Sequence, residues 1–183
     1  MTDIQPTKDD TVNKQLDSSK KLKLPEVLAT TNKELMVIRT FDAPKELVFK
    51  MFTEAEHLKH WYGNYQTTVS SCEVDLRIGG KLTIVLKMPN GFTSTLEGII
   101  YEIIDNEKFI FSMGGFKDNL GKSAVEFLNM VTLTDYKGKT KLTLQCNVIK
   151  AEVDKPEMAV DGMLRGWPDS LENLEAYIEK QLH

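Results

Sequence analysis

The sequence has only two cysteines, Cys72 and Cys146, and only three histidines. Neither cysteine lies in a close pair with another cysteine or with histidine, the spacing that is typical of zinc sites. We therefore expect no metal site. We expect the cysteines to be small apolar residues on strands, with a redox role as the alternative.

The sequence also lacks a long apolar run and a strong excess of one charge. No stretch approaches the roughly 18 consecutive apolar residues of a membrane span. The start, MTDIQPTKDD, has neither the basic residues nor the apolar stretch of a secretory signal. Because the formal net charge is only -4 and both signs are interspersed, nucleic acid is not expected as a partner. We expect a cytoplasmic protein without a membrane span, and a monomer or a dimer fits the sequence equally well.

The first 33 residues differ from the rest of the chain. Residues 1–20 are polar and aperiodic, which predicts a tail, so we divide the chain into a partly disordered extension, 1–33, and one domain, 34–183. Residues 21–24 alternate between lysine and leucine before Pro25. This pattern fits a short edge strand, a segment laid over the domain or, further on, a helix over residues 26–30.

The domain begins with a strand and two short helices. Residues 35–41 are rich in β-branched and large apolar side chains, which favours a strand. Asp42 is the predicted N-cap of a first helix, in which Leu47, Val48, Met51 and Phe52 share a face. A second helix over residues 54–62 is predicted to bury Trp61 and to end at Gly63.

The apolar period then changes to two, which indicates strands with one wet face. Gly79 and Gly80 predict a tight turn, Pro89-Asn90-Gly91 predicts a hairpin, and Gly98 indicates a bulge or a bend inside a strand. The predicted strands cover residues 71–78, 81–88, 92–104, 108–113, 124–136 and 139–149, with a glycine-rich loop over 114–122.

The last segment has apolar residues every three to four positions, which predicts a helix. Because Gly162, Gly166 and Pro168 interrupt its first half, we expect a firm helix from Pro168 and an irregular or kinked approach before it. This helix is the only long amphipathic element available to cover the apolar face of seven strands. The sequence therefore predicts an α+β fold in which a seven-stranded antiparallel sheet curls around the C-terminal helix.

Several motifs in this order resemble a known family. They are Phe41-Asp42-Ala43-Pro44, Glu56-His57-Leu58 with Trp61, Asp75-Leu76-Arg77 with Gly79-Gly80-Lys81, Gly98 with Glu102-Ile103, residues 140–144, and Gly166-Trp167 with Leu171, Leu174 and Tyr177. Together they resemble the family named after the activator of the 90-kDa heat-shock protein ATPase, over about residues 35–182. This family belongs to the START-like, helix-grip (SRPBCC) superfamily, which includes the birch-pollen allergen.

The resemblance implies a helix-grip fold with a cavity between the sheet and the last helix. It also implies a small hydrophobic or amphipathic ligand, since members of the superfamily bind lipids, steroids and polyketides and a minority are enzymes. The name of the family implies a heat-shock chaperone as a partner. The chain shows no second domain like the chaperone-binding part of the eukaryotic co-chaperone, so we expect ligand binding in the first place.

The candidate ligand-binding residues are large apolar side chains and two polar ones near the predicted cavity. Methionine and aromatic residues supply adaptable apolar surface, and glycines beside Met163 and Trp167 suit a cavity mouth. Asn129 is in phase with apolar neighbours on its strand and therefore needs a partner, either a ligand or backbone and water. The predicted walls are Trp61, Phe92, Phe127, Met163 and Trp167, and the predicted polar anchors are Asn129 and Glu97.

No residue set is predicted to be catalytic, and no cofactor is expected. His57 and His60 could share a helix face, but a metal would need further ligands. We interpret Asp75 and Arg77 as an ion pair on one strand face, with a grip on a polar head group as the alternative. Glu97 could act as an acid or base if buried. Two further hypotheses therefore stand beside ligand binding: a chaperone-regulating interaction module, and an enzyme for a hydrophobic or polyketide-like substrate.

Overall fold

A computed structural model describes residues 21–27, 34–117, 121–152 and 156–182. Their fold is α+β, as the sequence predicts, with one sheet, two short helices and one long helix. The elements in chain order are β1 (Glu34–Phe41), α1 (Lys45–Thr53), α2 (Ala55–Trp61), β2 (Thr68–Val74), β3 (Lys81–Lys87), β4 (Thr93–Ile104), β5 (Lys108–Lys117), β6 (Ser123–Tyr136), β7 (Lys139–Ala151) and α3 (Pro156–Leu182).

The seven strands form one antiparallel sheet in the order β1-β7-β6-β5-β4-β3-β2. Strands β2 to β7 follow each other as hairpins, and β1 joins the far side of β7. The two short helices therefore connect the two opposite edges of the sheet, β1 and β2. This geometry bends the sheet into the grip that the sequence predicts.

Helix α3 packs its apolar stripe into the concave face of the sheet. Trp167, Leu171, Leu174 and Ile178 recur at helical spacing and are buried together with side chains from both sheet edges. On the strands, alternate residues face this helix; in β7 they include Leu142, Leu144 and Cys146. Both cysteines lie on strands, as predicted, and neither forms a disulfide.

Two predictions near the helix and strand ends are wrong. Asp42 does not cap α1, because the helix begins at Lys45 after Pro44, and the Asp42 carboxylate instead lies 2.7 Å from the ammonium group of Lys139. Strand β2 ends at Val74, earlier than predicted, because the chain turns back between residues 75 and 80. The turn is so tight that a Cβ on Gly80 would stand 1.9 Å from the Asp75 carbonyl oxygen.

The glycine positions in the sheet also differ from the prediction. Gly98 is needed for close approach, since a Cβ there would stand 1.8 Å from the Ser112 carbonyl oxygen. The register of β4 with β5 shifts two residues later, between Ile100 and Glu102. Gly114 and Gly115, predicted as loop, continue strand β5 and pair with β6.

The irregular approach predicted before Pro168 is also wrong, because α3 is helical from Pro156 to Leu182 with Pro168 inside it. Proline removes one backbone N–H from the helix, which costs one hydrogen bond at that turn. Packing of the apolar stripe against the sheet offsets this local cost.

Residues 21–27 lie against the domain without helix or strand structure. The Leu22 N–H donates to the Tyr101 carbonyl oxygen over 3.0 Å, at the point where the β4–β5 register shifts. The segment is therefore laid over the sheet, which was one of the predicted alternatives. The predicted helix over residues 26–30 lies partly outside the described residues. Within the described part of the chain, no helix has both the length and the apolar character needed to cross a membrane.

Candidate functional site

A cavity of about 270 Å³ lies between one end of the sheet and the first half of α3. The α2–β2 loop, the β3–β4 hairpin strands, β5, β6 and α3 all contribute to its lining. The other end of the grip is filled by the protein's own side chains, with Phe41, Phe109 and Leu142 fully buried there. The cavity therefore lies towards the end of the grip that holds the α2–β2 loop and the β3–β4 hairpin.

The walls of the cavity are mainly apolar. Leu86 lies on β3 and Leu96 on the neighbouring strand β4, and Met113 and Phe127 are paired residues of β5 and β6. They face the helix because alternate residues of a strand point to one side of the sheet. Met88 and Trp167 complete the apolar lining. Flexible methionine side chains suit a wall that adapts to its contents.

Four glycines line the cavity, Gly114 and Gly115 in β5 and Gly162 and Gly166 in α3. The strand glycines have close neighbours, since a Cβ on Gly114 would stand 2.7 Å from Ser123 and one on Gly115 would stand 3.0 Å from Leu96. A Cβ added at Gly162 or Gly166 would meet no atom within 4 Å. The helix therefore faces the cavity with bare backbone at two positions, one turn apart.

One hydrogen bond crosses the cavity from helix to sheet. The indole Nε1–H of Trp167 donates to Oδ1 of Asn129 over 3.1 Å, and both side chains are buried. This contact gives Asn129 the partner that its apolar surroundings on β6 require. It also fixes the orientation of the Trp167 ring, which Tyr62 meets edge-on at 5.7 Å between ring centroids.

The α2–β2 loop is attached to the helix at the edge of the cavity. Ser170 Oγ accepts the Gly63 N–H over 3.1 Å, and Asn173 Nδ2 donates to the Gly63 carbonyl oxygen over 2.9 Å. Gly63 has a φ of 110°, and a Cβ there would stand 2.6 Å from Thr67 Oγ1. Only glycine fits this loop without strain.

Burial controls the titratable groups next to the cavity. It raises the pKa of the Cys146 thiol to about 12 and that of the Cys72 thiol to about 11. It also raises the pKa of the Tyr62 phenol far above its ordinary value. All three groups are therefore neutral at physiological pH, and the surroundings of the cavity favour uncharged chemistry.

The predicted ligand-binding residues fall into two groups. Phe127, Asn129 and Trp167 line the cavity. Trp61 is 1% exposed in the core, where its indole N–H donates to the Met51 carbonyl oxygen, and it does not line the cavity. Phe92 is 62% exposed and does not line it either.

The two remaining predicted residues are Glu97 and Met163. Glu97 is exposed on β4 and is not part of the cavity lining. The side chain of Met163 lies outside the described residues. The enzyme hypothesis needs a titratable carboxyl group in the cavity, and Asp75 is also exposed. Neither carboxylate therefore supplies an acid or base inside the cavity.

The cavity lining includes residues that sequence reasoning did not select. Leu86 and Leu96 belong to strands with an ordinary alternating pattern. Such a pattern predicts that a side chain points inward, but not whether it lines a cavity or packs in the core. Gly114 and Gly115 looked like loop residues, although a paired glycine in a strand marks a site of close approach or missing side-chain volume. Ser170 is polar on the buried side of α3, and that signal could have found it.

The other residues that were considered for a metal or ligand site contact neighbouring side chains instead. His57 Nδ1 lies 3.0 Å from the Tyr177 hydroxyl, and the His60 ring stacks on Tyr177. Arg77 Nε lies 2.8 Å from Asp75 Oδ2, so these residues form the predicted ion pair, within a turn rather than on a strand face. Among the described residues, no cluster of three or more potential ligands could hold a metal ion.

A family model described as Activator of Hsp90 ATPase homolog 1-like protein matches residues 42–179. No curated protein matches the sequence significantly. The matched region contains every described residue that lines the cavity.

Solved structures share the fold. A protein from Arthrobacter aurescens, solved by NMR, is 20% identical with a TM-score of 0.71, over 89% of this chain and 92% of that chain. A crystal structure from Nitrosomonas europaea is 24% identical with a TM-score of 0.66, over 81% of this chain and 95% of that chain. The AHSA1 protein from Silicibacter pomeroyi is 21% identical with a TM-score of 0.67, over 81% and 99% of the two chains. At these identities the likeness concerns the fold alone.

Proposed function

Since the chain belongs to the Activator of Hsp90 ATPase homolog 1-like family, with a helix-grip fold, we propose that it binds a small hydrophobic or amphipathic ligand between the sheet and α3. The observation that carries this proposal is the cavity of about 270 Å³ between the sheet and α3, beside the buried core. Protein interiors rarely leave such a space, because an empty cavity of this size costs stability.

The composition of the lining supports the same function. Small-molecule sites are mostly apolar, with a few polar groups that orient the ligand. Here the walls come from Leu86, Leu96, Met113 and Phe127, and Asn129 supplies an amide among them. The volume lies just below the usual range of about 300–1,000 Å³, which favours a small ligand.

Native mass spectrometry of the protein purified from its own host tests this function. A ligand that is carried through purification adds a reproducible mass, and that mass disappears when the same sample is denatured. If no added mass is found, and none appears after incubation with a library of small apolar compounds, the cavity does not serve as a binding site.

The family description favours a second candidate, regulation of a heat-shock chaperone through protein interaction. The test is the ATPase rate of a 90-kDa heat-shock chaperone from the same host, with and without this protein in excess. Stimulation at a saturable concentration supports this function. An unchanged rate at saturating protein, together with no complex in size-exclusion chromatography, removes it.

A further inference from the structure

The Trp167–Asn129 hydrogen bond determines which atoms Asn129 can offer to a ligand. An indole nitrogen only donates, so the asparagine atom that faces it at 3.1 Å is the oxygen, Oδ1. The amide is thereby held in one orientation. The Nδ2 group, with its two N–H donors, is the donor group that Asn129 can offer to a ligand.

The described polar groups that line the cavity are uncharged. Among the described residues that line it, there is no Asp, Glu, Lys, Arg or His. The polar lining consists of two amides and four hydroxyl groups: Asn64, Asn129, Tyr62, Thr67, Ser94 and Ser170. A charged ligand group that entered would lose its hydration without gaining a counter-charge, which is costly.

We propose that the ligand is an uncharged molecule whose carbonyl, ester or ether oxygen accepts a hydrogen bond from Asn129 Nδ2. Its apolar body lies against Leu86, Met113 and Phe127. This inference rests on the proposed function and narrows it to a chemical class. It excludes free fatty acids and other anions whose charged group would lie in the cavity.

The charge preference is tested with two fluorescent probes that share one skeleton. N-phenyl-1-naphthylamine is neutral, and 1-anilinonaphthalene-8-sulfonate adds a sulfonate to it. We expect saturable, blue-shifted fluorescence with the neutral probe and at least tenfold weaker binding of the sulfonate. Equal affinities would overturn the neutral assignment. If the neutral probe itself fails to bind, the proposed function fails as well.

The acceptor is tested by displacing the neutral probe with 2-acetylnaphthalene and 2-ethylnaphthalene, which differ mainly in the carbonyl oxygen. We expect the ketone to compete roughly three- to tenfold better, the range for one net hydrogen bond. In Asn129→Asp, measured at a pH high enough to ionise the introduced carboxyl group, the side chain keeps an oxygen for Trp167 but has no donor, so this preference disappears. Asn129→Leu serves as a second variant without any polar group at that position.

The outcomes distinguish ligand binding in the cavity from the assignment of Asn129 Nδ2 as the hydrogen-bond donor. If both naphthalenes displace the probe equally well from the unaltered protein, ligand binding stands and the acceptor assignment is overturned. The same holds if the ketone preference persists in folded Asn129→Asp and Asn129→Leu. Circular dichroism establishes that each variant is folded, and Asn90→Asp, at an exposed position in the β3–β4 hairpin outside the cavity lining, is the matched control that retains the preference.

Discussion

Trp167 on α3 donates its indole N–H to Asn129 on β6 across 3.1 Å, and this bond joins the gripping helix to the sheet. Both side chains are buried, and both line the cavity. A buried polar atom that loses its partner costs more than the bond itself contributed. The stability of the grip and the form of its cavity therefore depend on the same pair.

We expect Trp167→Phe to lower the free energy of unfolding by about 1–3 kcal/mol, because Asn129 Oδ1 loses its buried donor. The phenyl ring keeps most of the apolar contact. Combining it with Asn129→Leu recovers part of the loss, since both polar groups are then absent. Urea denaturation of the four proteins of this double-mutant cycle measures the coupling, and additive losses would contradict it.

Gly166 offers a test of the empty space. Because a Cβ there meets no atom within 4 Å, Gly166→Ala should stabilise the protein by up to about 1 kcal/mol through helix propensity. Gly166→Leu should be at least as stable, since its side chain fills the cavity. The measurement is the unfolding midpoint of each variant. A large destabilisation of Gly166→Leu alone would mean that the space is not available.

The attachment of the α2–β2 loop depends unequally on its two side chains. Ser170→Ala leaves the Gly63 N–H without its acceptor in a buried place, so we expect a loss of about 1–3 kcal/mol. Asn173→Ala should cost less, because Ser170 still lies within hydrogen-bond distance of the Gly63 carbonyl oxygen. Amide hydrogen exchange at Gly63 should accelerate in Ser170→Ala. Equal effects of the two variants would contradict this order.

The buried thiols predict lower stability at alkaline pH. Burial raises the Cys146 pKa from 9.0 to about 12, so above pH 9 the unfolded chain loses a proton that the folded protein keeps. Stability is then full below pH 9 and falls as the pH rises towards 12, by up to about 1.4 kcal/mol per pH unit for this thiol. Urea denaturation between pH 8 and 11 measures the slope.

Cys146→Ala should reduce the slope of the free energy of unfolding against pH, because one thiol proton no longer contributes to it. Cys72→Ala should reduce the slope in the same way up to about pH 11, above which its thiol, with a pKa of about 11, no longer contributes. An unchanged slope in Cys146→Ala would show that the thiol does not retain its proton in the folded state.

The sheet and helix could be predicted because their signal is local. The period of two from Lys81 to Lys87 and the helical spacing of Leu171, Leu174 and Ile178 each define an apolar face. One sheet face and one amphipathic helix then have few ways to cover each other. The end of β2 could not be predicted from the apolar pattern of that strand. It depends on the close contacts of Gly80 in the turn that follows.

The cavity could be predicted only in part, because the sequence does not show which apolar side chains pack against each other and which leave space between them. Trp61 and Trp167 both lie on apolar helix faces, yet one fills the core beside Phe52 and the other lines the cavity. Gly162 and Gly166, which were predicted to lie near a cavity, do line it. The strand glycines Gly114 and Gly115 gave no comparable signal, since only the tertiary structure shows that they pair within the sheet and line the cavity.

The most direct test of the central claim is a titration of the unaltered protein, Gly166→Ala and Gly166→Leu with N-phenyl-1-naphthylamine. If the ligand lies between the sheet and α3, the first two proteins bind one probe molecule saturably, and Gly166→Leu, folded but with its cavity filled, binds at least tenfold more weakly. Equal binding by all three folded proteins would place the ligand elsewhere and contradict the account.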